Sequence, residues 1–295
     1  MTLEENARRS VDNLLEVLDI AASEARTTED IFTGRSHQMP TGRVYGGQVL
    51  AQSLLAAERT LPVERIVHSM HGYFLRPGDA SAGITFAVDR IHDGRSFSTR
   101  RSQAFQGGVP IFSMIASFQD DDPGVEHQEP APDGIPGPDE VASDDDLIGS
   151  VHPVTGRLLA ERPADIRHIE GPLFLEVAGE RVHRQAVWMR MRAPMPDDPR
   201  LHRAALAYLS DMTIQESILR RHGVTWQTPG LKVASLDHAM WWHRFGRVDE
   251  WMLYVQESPN ARGGRGLATG RIYDRDGALL ASVAQEVMVR VPAQG

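Results

Sequence analysis

Cysteine is absent from the 295 residues, which excludes disulfides, thiolate nucleophiles and cysteine-ligated zinc or iron. No run approaches the roughly 18 apolar residues that a membrane-spanning helix needs, so membrane insertion is not expected. Basic residues number 31 against 40 acidic ones, for a formal charge of -9. That balance argues against the broad positive footprint of a nucleic-acid binder. The amino-terminal MTLEENARRSVDNLLEVLDIA has Glu4 and Glu5 near its start, and no unbroken apolar core such as a secretory signal carries. Its apolar residues are spaced as on an amphipathic helix. The carboxy-terminal VPAQG matches no targeting or lipidation motif. These absences together point to the cytoplasm.

What is present suits a soluble globular chain: 41% of residues are apolar and 24% charged. A length of 295 residues fits two domains better than one, because single cores rarely grow beyond about 250 to 300 residues. Between Gln119 and Pro163 the composition shifts to DDDPGVEHQEPAPDGIPGPDEVASDDD, rich in Pro, Gly and Asp and without apolar period. It reads as a surface linker. The organisation expected is therefore an amino-terminal unit over residues 1–119, a linker over 120–163, and a carboxy-terminal unit over 164–295.

The two units look like copies of each other. RVYGGQVLAQSLLAA places Tyr45, Gln48, Gln52 and Leu55 at helical spacings, and LAYLSDMTIQESI repeats them as Tyr208, Asp211, Gln215 and Ile218 at an offset of 163. Further on, IVHSMHGYFLRPG, ITFAVDRIHDGRSFSTRRSQAF and PIFSMIASFQ are followed in the same order by VASLDHAMWWHRFG, WMLYVQESPNARGGRGLATGRIYD and LLASVAQEVMVR. His71 falls opposite His238, and Ser117 opposite Gln285, at offsets of 167 and 168. Each unit reads as one long helix followed by strands rich in Val, Ile, Phe, Trp and Thr, bounded by turns such as HDGR, QGGVP and DRDG. QAVWMRMRA (185–193) is a further strand ahead of the second helix. The fold class expected is α+β, with two sheets paired edge to edge and helices stacked on one face.

Within AALAYLSDMTIQESIL, a helical reading puts Asp211 on the apolar face, among Ala204, Ala207, Tyr208, Ile214 and Ile218. A carboxylate there is costly in its charged form unless donors surround it. Either Asp211 is a partnered structural acid, or its raised basicity has a use.

Taken together, RVYGGQVLAQ, HSMHGYFLRPGD, DGRSFSTRR and FSMIASFQ in the first unit, with YLSD, ASLDHAMWWHR, DEWMLY and VAQEVMVR in the second, resemble the acyl-CoA thioesterase II family. The resemblance covers nearly the whole chain. It implies a double hotdog fold, in which each long helix is wrapped by a curved antiparallel sheet. It also implies hydrolysis of fatty acyl-CoA to free fatty acid and coenzyme A without metal or other cofactor, and further assembly into a homo-oligomer. The family's catalytic Asp, Thr and Gln correspond to Asp211, Ser235 and Gln285. Serine keeps the hydroxyl at the threonine position but lacks the methyl that restricts χ1.

These residue types suit the reaction. A thiolate leaving group, with a conjugate acid near about 8.5 by analogy with cysteine, needs little acid assistance. What hydrolysis lacks is an aimed, deprotonated water, and a desolvated carboxylate can supply the base. Ser235 and Gln285 would orient that water through their donors and acceptors, although direct attack by Asp211 to give an anhydride is a chemical alternative. In the first unit Gln48, His68 and Ser117 stand opposite the three, so one working site per chain is expected. The competing readings are an acyl-CoA hydratase or dehydratase on the same fold, and a catalytically weak acyl-CoA-binding module.

Other motifs carry less. Ser235, Asp237 and His238 have the letters of a hydrolase triad, but strand neighbours alternate faces, and no G-x-S-x-G elbow occurs. His68 and His71 point to opposite faces of a strand and make a poor metal pair. ARGGRG (261–266) and the arginines Arg95, Arg100 and Arg101 could meet coenzyme A phosphates or could be solvated charges at a strand end. Trp241 and Trp242 should divide between interface and core.

Overall fold

The computed structural model describes residues 2–24, 27–37, 41–62, 64–151, 159, 161–174 and 184–291. Part of the expected linker (152–158 and 160) and the last four residues of VPAQG lie outside them.

The chain begins with the amphipathic helix that its spacing predicts, α1 (Leu3–Leu18), which buries Val11, Leu14 and Leu18. Thr2 opens it with a capping box: its hydroxyl accepts from the Glu5 amide at 3.1 Å, while Glu5 accepts from the Thr2 amide at 2.7 Å. Short strands β1 (Ala21–Ala22) and β2 (Asp30–Gly34) follow. The first unit continues with the buried helix α2 (Gly46–Glu58) and strands β3 (Ile66–Phe74), β4 (Ile84–Asp93), β5 (Phe97–Gln106) and β6 (Val109–Gln119).

In the second unit, β7 (Ala164–His168) and β8 (Arg184–Met191) precede helices α4 (Pro199–Ser210) and α5 (Glu216–His222). Strands β9 (Lys232–Ser235), β10 (Asp237–Trp242), β11 (Met252–Arg262), β12 (Arg265–Asp274) and β13 (Leu279–Arg290) complete it. Between the units lies α3 (Asp144–Val151).

All strands join one antiparallel sheet, in the order β1-β2-β4-β5-β6-β3-β10-β13-β12-β11-β8-β7, with β9 also on β13. Read outward from the central β3–β10 pair, the two halves mirror each other strand for strand as far as β2 and β8. Even an irregularity is repeated. The β3–β6 register slips by one residue between Val67 and Ser69, and the β9/β10 pairing to β13 slips by one between Ser235 and Ala239. The edge-to-edge pairing expected of the repeat is thus the β3–β10 ladder, which sets His71 against Ala239. Helices α2 and α4 pack on each other, and one apolar cluster runs through both units.

Two expectations need correction. The second unit does not hold one long helix: α4 stops at Ser210, Asp211 is its last-turn cap, and α5 starts only at Glu216. The intervening turn is held from the sheet, where Gln185 donates to the Thr213 carbonyl at 3.3 Å and Gln256 to the Thr213 hydroxyl at 2.6 Å. Partners from β8 and β11 replace those that a continuous helix would give. The linker, in turn, is more than a surface strap. Ala131, Ile135 and Val141 pack against a second cluster around Trp188 and Trp251, and Asp144 is buried against His168 at 2.7 Å. The other side of that imidazole meets Glu216 at 2.7 Å. With a carboxylate at each nitrogen, the His168 imidazolium is favoured despite burial, and its pKa rises to about 10.

Candidate active site

A cavity of about 530 Å³ opens where the units meet. The first unit contributes Val44, Val49, Phe74 and Phe112 to its walls, and the second Trp226, Val233 and Leu236, so the lining is largely apolar. Asp211 and Ser235 stand on this wall. Gln285 does not: it is fully buried behind Asp211 and reaches the carboxylate from the core.

The three residues predicted from sequence nevertheless converge. Gln285 Nε2 donates to Asp211 Oδ1 at 2.6 Å, and the Ser235 hydroxyl lies at a longer 3.5 Å from the same oxygen. The end of α4 positions Asp211, the end of β9 carries Ser235, and Gln285 sits mid-strand on β13. A third donor comes from the other unit: the Gly47 amide, in the first turn of α2, also bonds the carboxylate. The helix can come this close because it begins with two glycines. A Cβ on Gly46 would stand 2.7 Å from Asp211 Oδ2, and one on Gly47 2.4 Å from the Tyr208 carbonyl oxygen.

Burial dominates the electrostatics of Asp211. Loss of hydration raises its pKa to about 6, against the lowering effect of the bonds from Gln285, Gly47 and Ser235. The side chain is therefore ionised at neutral pH yet more basic than an ordinary carboxylate.

The first unit's own buried carboxylate, Glu58 at the far end of α2, is raised by burial to about 8 and does not line the cavity. Gln48 lies in the first turn of α2 and is fully engaged: its oxygen accepts from the His37 amide at 3.0 Å, and its nitrogen donates to Arg35 and to Gln52 at 3.2 and 3.1 Å. Gln52 continues the ladder to the Val17 carbonyl at 2.7 Å. Carboxamides here pin the chain that precedes α2. Where the repeat sets Asp211 against Gln48, the first unit thus carries a carboxamide.

The shape of the whole agrees with known proteins. A family model described as acyl-CoA thioesterase matches residues 161–288, and one described as the acyl-CoA thioesterase N-terminal domain matches residues 35–119. The sequence is 34% identical to acyl-CoA thioesterase 2 of Haemophilus influenzae, over 95% of this chain and 98% of that protein. The chain belongs to the acyl-CoA thioesterase family. Among solved structures it is similar to the acyl-CoA thioesterase II TesB2 from Mycobacterium marinum, with 40% identity, a TM-score of 0.77, and coverage of 96% of this chain and 100% of that one. A hot dog fold protein of unknown function from Alicyclobacillus acidocaldarius, 20% identical with a TM-score of 0.77 over 95% of this chain and 98% of its own, shares the fold alone. The fold is a double hotdog and the protein an acyl-CoA thioester hydrolase.

Several other candidates of this thioesterase resolve differently. The imidazole of His238 faces Ser210 and Gln285 rather than Ser235, so the three-letter triad does not form. His68 meets Ser117 at 2.9 Å and His71 meets Asp237 at 3.4 Å, as separate polar contacts. ARGGRG is the β11–β12 hairpin turn, with Gly263 and Gly264 at φ of 62° and 76°, and Arg265 pairs with Glu286. Arg100 is buried on Thr60 and Asp93, and Arg101 pairs with Asp89. Trp242 is buried and Trp241 exposed, divided as alternation requires.

What sequence reasoning missed is the first unit's share. Arg43 and Arg76 also line the cavity, and neither forms an ion pair among the described residues. The doubled glycine of VYGGQ, at the start of a helix, was the available clue to close approach.

Proposed function

We propose that Asp211 acts as the general base of thioester hydrolysis, with Ser235 orienting the attacking water. Gln285 acts through the carboxylate, holding Oδ1 and so fixing the orientation in which the base meets the water. Water oxygen bonds to the thioester carbon as its proton passes to Asp211. The tetrahedral intermediate then expels the coenzyme A thiolate, which takes a proton as the acid product forms. The amino-terminal end of α2, whose Gly47 amide already holds Asp211, favours negative charge at the developing oxyanion through its dipole. One observation carries this reading: a buried carboxylate of raised basicity stands on the wall of an apolar cavity, beside a hydroxyl.

The substrate is a fatty acyl-CoA, its acyl chain received between Phe74, Phe112 and Trp226. The charged end would meet Arg43 and Arg76, whose geometry at the cavity is better suited to phosphate than that of the ARGGRG hairpin. A hydratase would require a histidine beside the acid and facing the acyl group. His238, the histidine nearest Asp211 through Gln285, is turned away into the core and does not line the cavity. The division into units 1–119 and 164–295 around a connecting segment, the cytoplasmic location and the homo-oligomer belong to the same proposal. No described helix is long and apolar enough to cross a membrane.

The deciding experiment is thiol release across acyl-CoA chain lengths beside hydration of crotonyl-CoA. Thiol release without hydration supports the reading, whereas hydration alone overturns it. Sedimentation of the purified protein tests the oligomer.

A further inference from the structure

His238 is fully buried on β10, does not touch the cavity, and sits in a chain of hydrogen bonds that ends on the base. The polarity of that chain can be worked out from its far end. The Ser210 hydroxyl donates to the Ala207 carbonyl at 2.9 Å, so its oxygen can only accept from His238 Nε2, 3.0 Å away. Nε2 therefore carries the imidazole proton, and Nδ1 presents a lone pair. The carboxamide of Gln285 lies 3.0 Å from Nδ1, and only its NH2 group can answer a lone pair. The same nitrogen donates to Asp211 Oδ1, so both of its hydrogens are used.

We propose that His238 is a positioning residue: its tautomer, fixed by Ser210, holds the Gln285 carboxamide with NH2 rather than C=O toward Asp211. An amide's two ends differ little in shape, so packing alone selects weakly between them. With the amide reversed, Oε1 would face the carboxylate and Asp211 would favour its protonated form. The buried Gln285 Oε1 has no protein partner, so the two bonds of the NH2 group are the ones that fix the amide's orientation. Burial keeps His238 neutral, its pKa lowered to about 3 first by desolvation and then by His71, so the tautomer persists through the working pH range. Tyr45, Tyr208 and Tyr254 beside Asp211 are all shifted upward by burial and do not titrate with it, and the arginines Arg43, Arg76 and Arg162 nearby stay charged.

This inference rests on Asp211 as the base, and its test has a readout independent of turnover. The carboxyl of Asp211 is titrated by carbon NMR, alongside kcat and KM, in His238→Leu, His238→Asn and Ser210→Ala. Asparagine retains an oxygen acceptor near the Nδ1 position, while leucine does not. The expected result for His238→Leu is an upward move of the Asp211 midpoint and of the acidic limb of kcat, with kcat down about tenfold and KM unchanged. His238→Asn restores both toward wild type, and Ser210→Ala, which frees the tautomer, moves the midpoint in the same direction as leucine. An unmoved midpoint in His238→Leu overturns the proposal, as does equal impairment of the leucine and asparagine variants with a lowered Tm. If the leucine variant does not fold, an unmoved midpoint in Ser210→Ala overturns it instead. Failure of the base assignment is a separate result: full turnover in Asp211→Asn, whatever the titration shows.

Discussion

At the scale of single residues, Asp211 is in tension with its surroundings, and the tension has a measurable sign. Its folded pKa, about 6, lies above the 3.8 of an unburied aspartate. The fold therefore favours the protonated form: no cost is present below the unfolded pKa, and stability is lost as pH rises through the folded one. Asp211→Asn removes the charge and should hold or raise Tm at pH 7 to 8, the gain bounded by roughly 3 kcal/mol for a shift of this size. Thiol release should fall by at least about 100-fold in the same variant. A structural acid predicts the opposite pairing, lost stability with activity surviving in proportion to folded protein. The wild-type rate should rise with pH through about 6, following ionisation of the base. Ser235 lies at the long end of hydrogen-bond distance from Asp211. Ser235→Ala should lower kcat, while Ser235→Thr should keep or raise it, because the methyl narrows the hydroxyl's rotamers. Silent alanine with harmful threonine would make it a packing residue. Asp211 and Gln285 are 74 residues apart. Asp211 was legible as a carboxylate among apolar neighbours, whereas its pairing with Gln285 came only from family resemblance, since nothing local in VAQE points at YLSD.

Elements were legible where period and packing agree. Strands β3 to β6 and β10 to β13 follow from alternation and turn residues, because one face of each must be buried. The break between α4 and α5 was not legible: its cause is a pair of glutamines, Gln185 and Gln256, brought in by strands distant in sequence. The docked part of the connecting segment was hidden for a similar reason, since Ala131, Ile135 and Val141 have no common period. The approach of α2 to α4 gives a prediction at this scale. In Gly46→Ala the new methyl meets the movable Asp211 carboxylate at 2.7 Å, so kcat should fall roughly 10- to 100-fold with Tm little changed. In Gly47→Ala the obstacle is the Tyr208 backbone carbonyl at 2.4 Å, which cannot swing aside. Stability should then drop by about 1 to 3 kcal/mol as the helices part. Melting curves beside thiol-release kinetics separate the two, and equal loss of stability in both variants would contradict this assignment.

For the whole molecule, the duplication places all three proposed catalytic side chains in one unit and much of the chamber in the other. Residues 164–295 expressed alone retain Asp211, Ser235 and Gln285 but lose Gly47, Val44, Phe74 and Phe112. That fragment should release no thiol above background, and normal turnover by it would show that the first unit is dispensable. The outline of two units was readable because the repeat is written in order along the chain. The shared cavity was not, since it arises only when β3 meets β10. There is a consequence for inheritance. A copy that carries no base of its own would ordinarily be free to drift, guarded only by the need to fold. Here the first copy supplies the Gly47 amide and the glycine clearance beside Asp211, so a change at its helix start reaches the proposed base. On the proposed assignment both halves answer to the same selection, although only one of them carries the base.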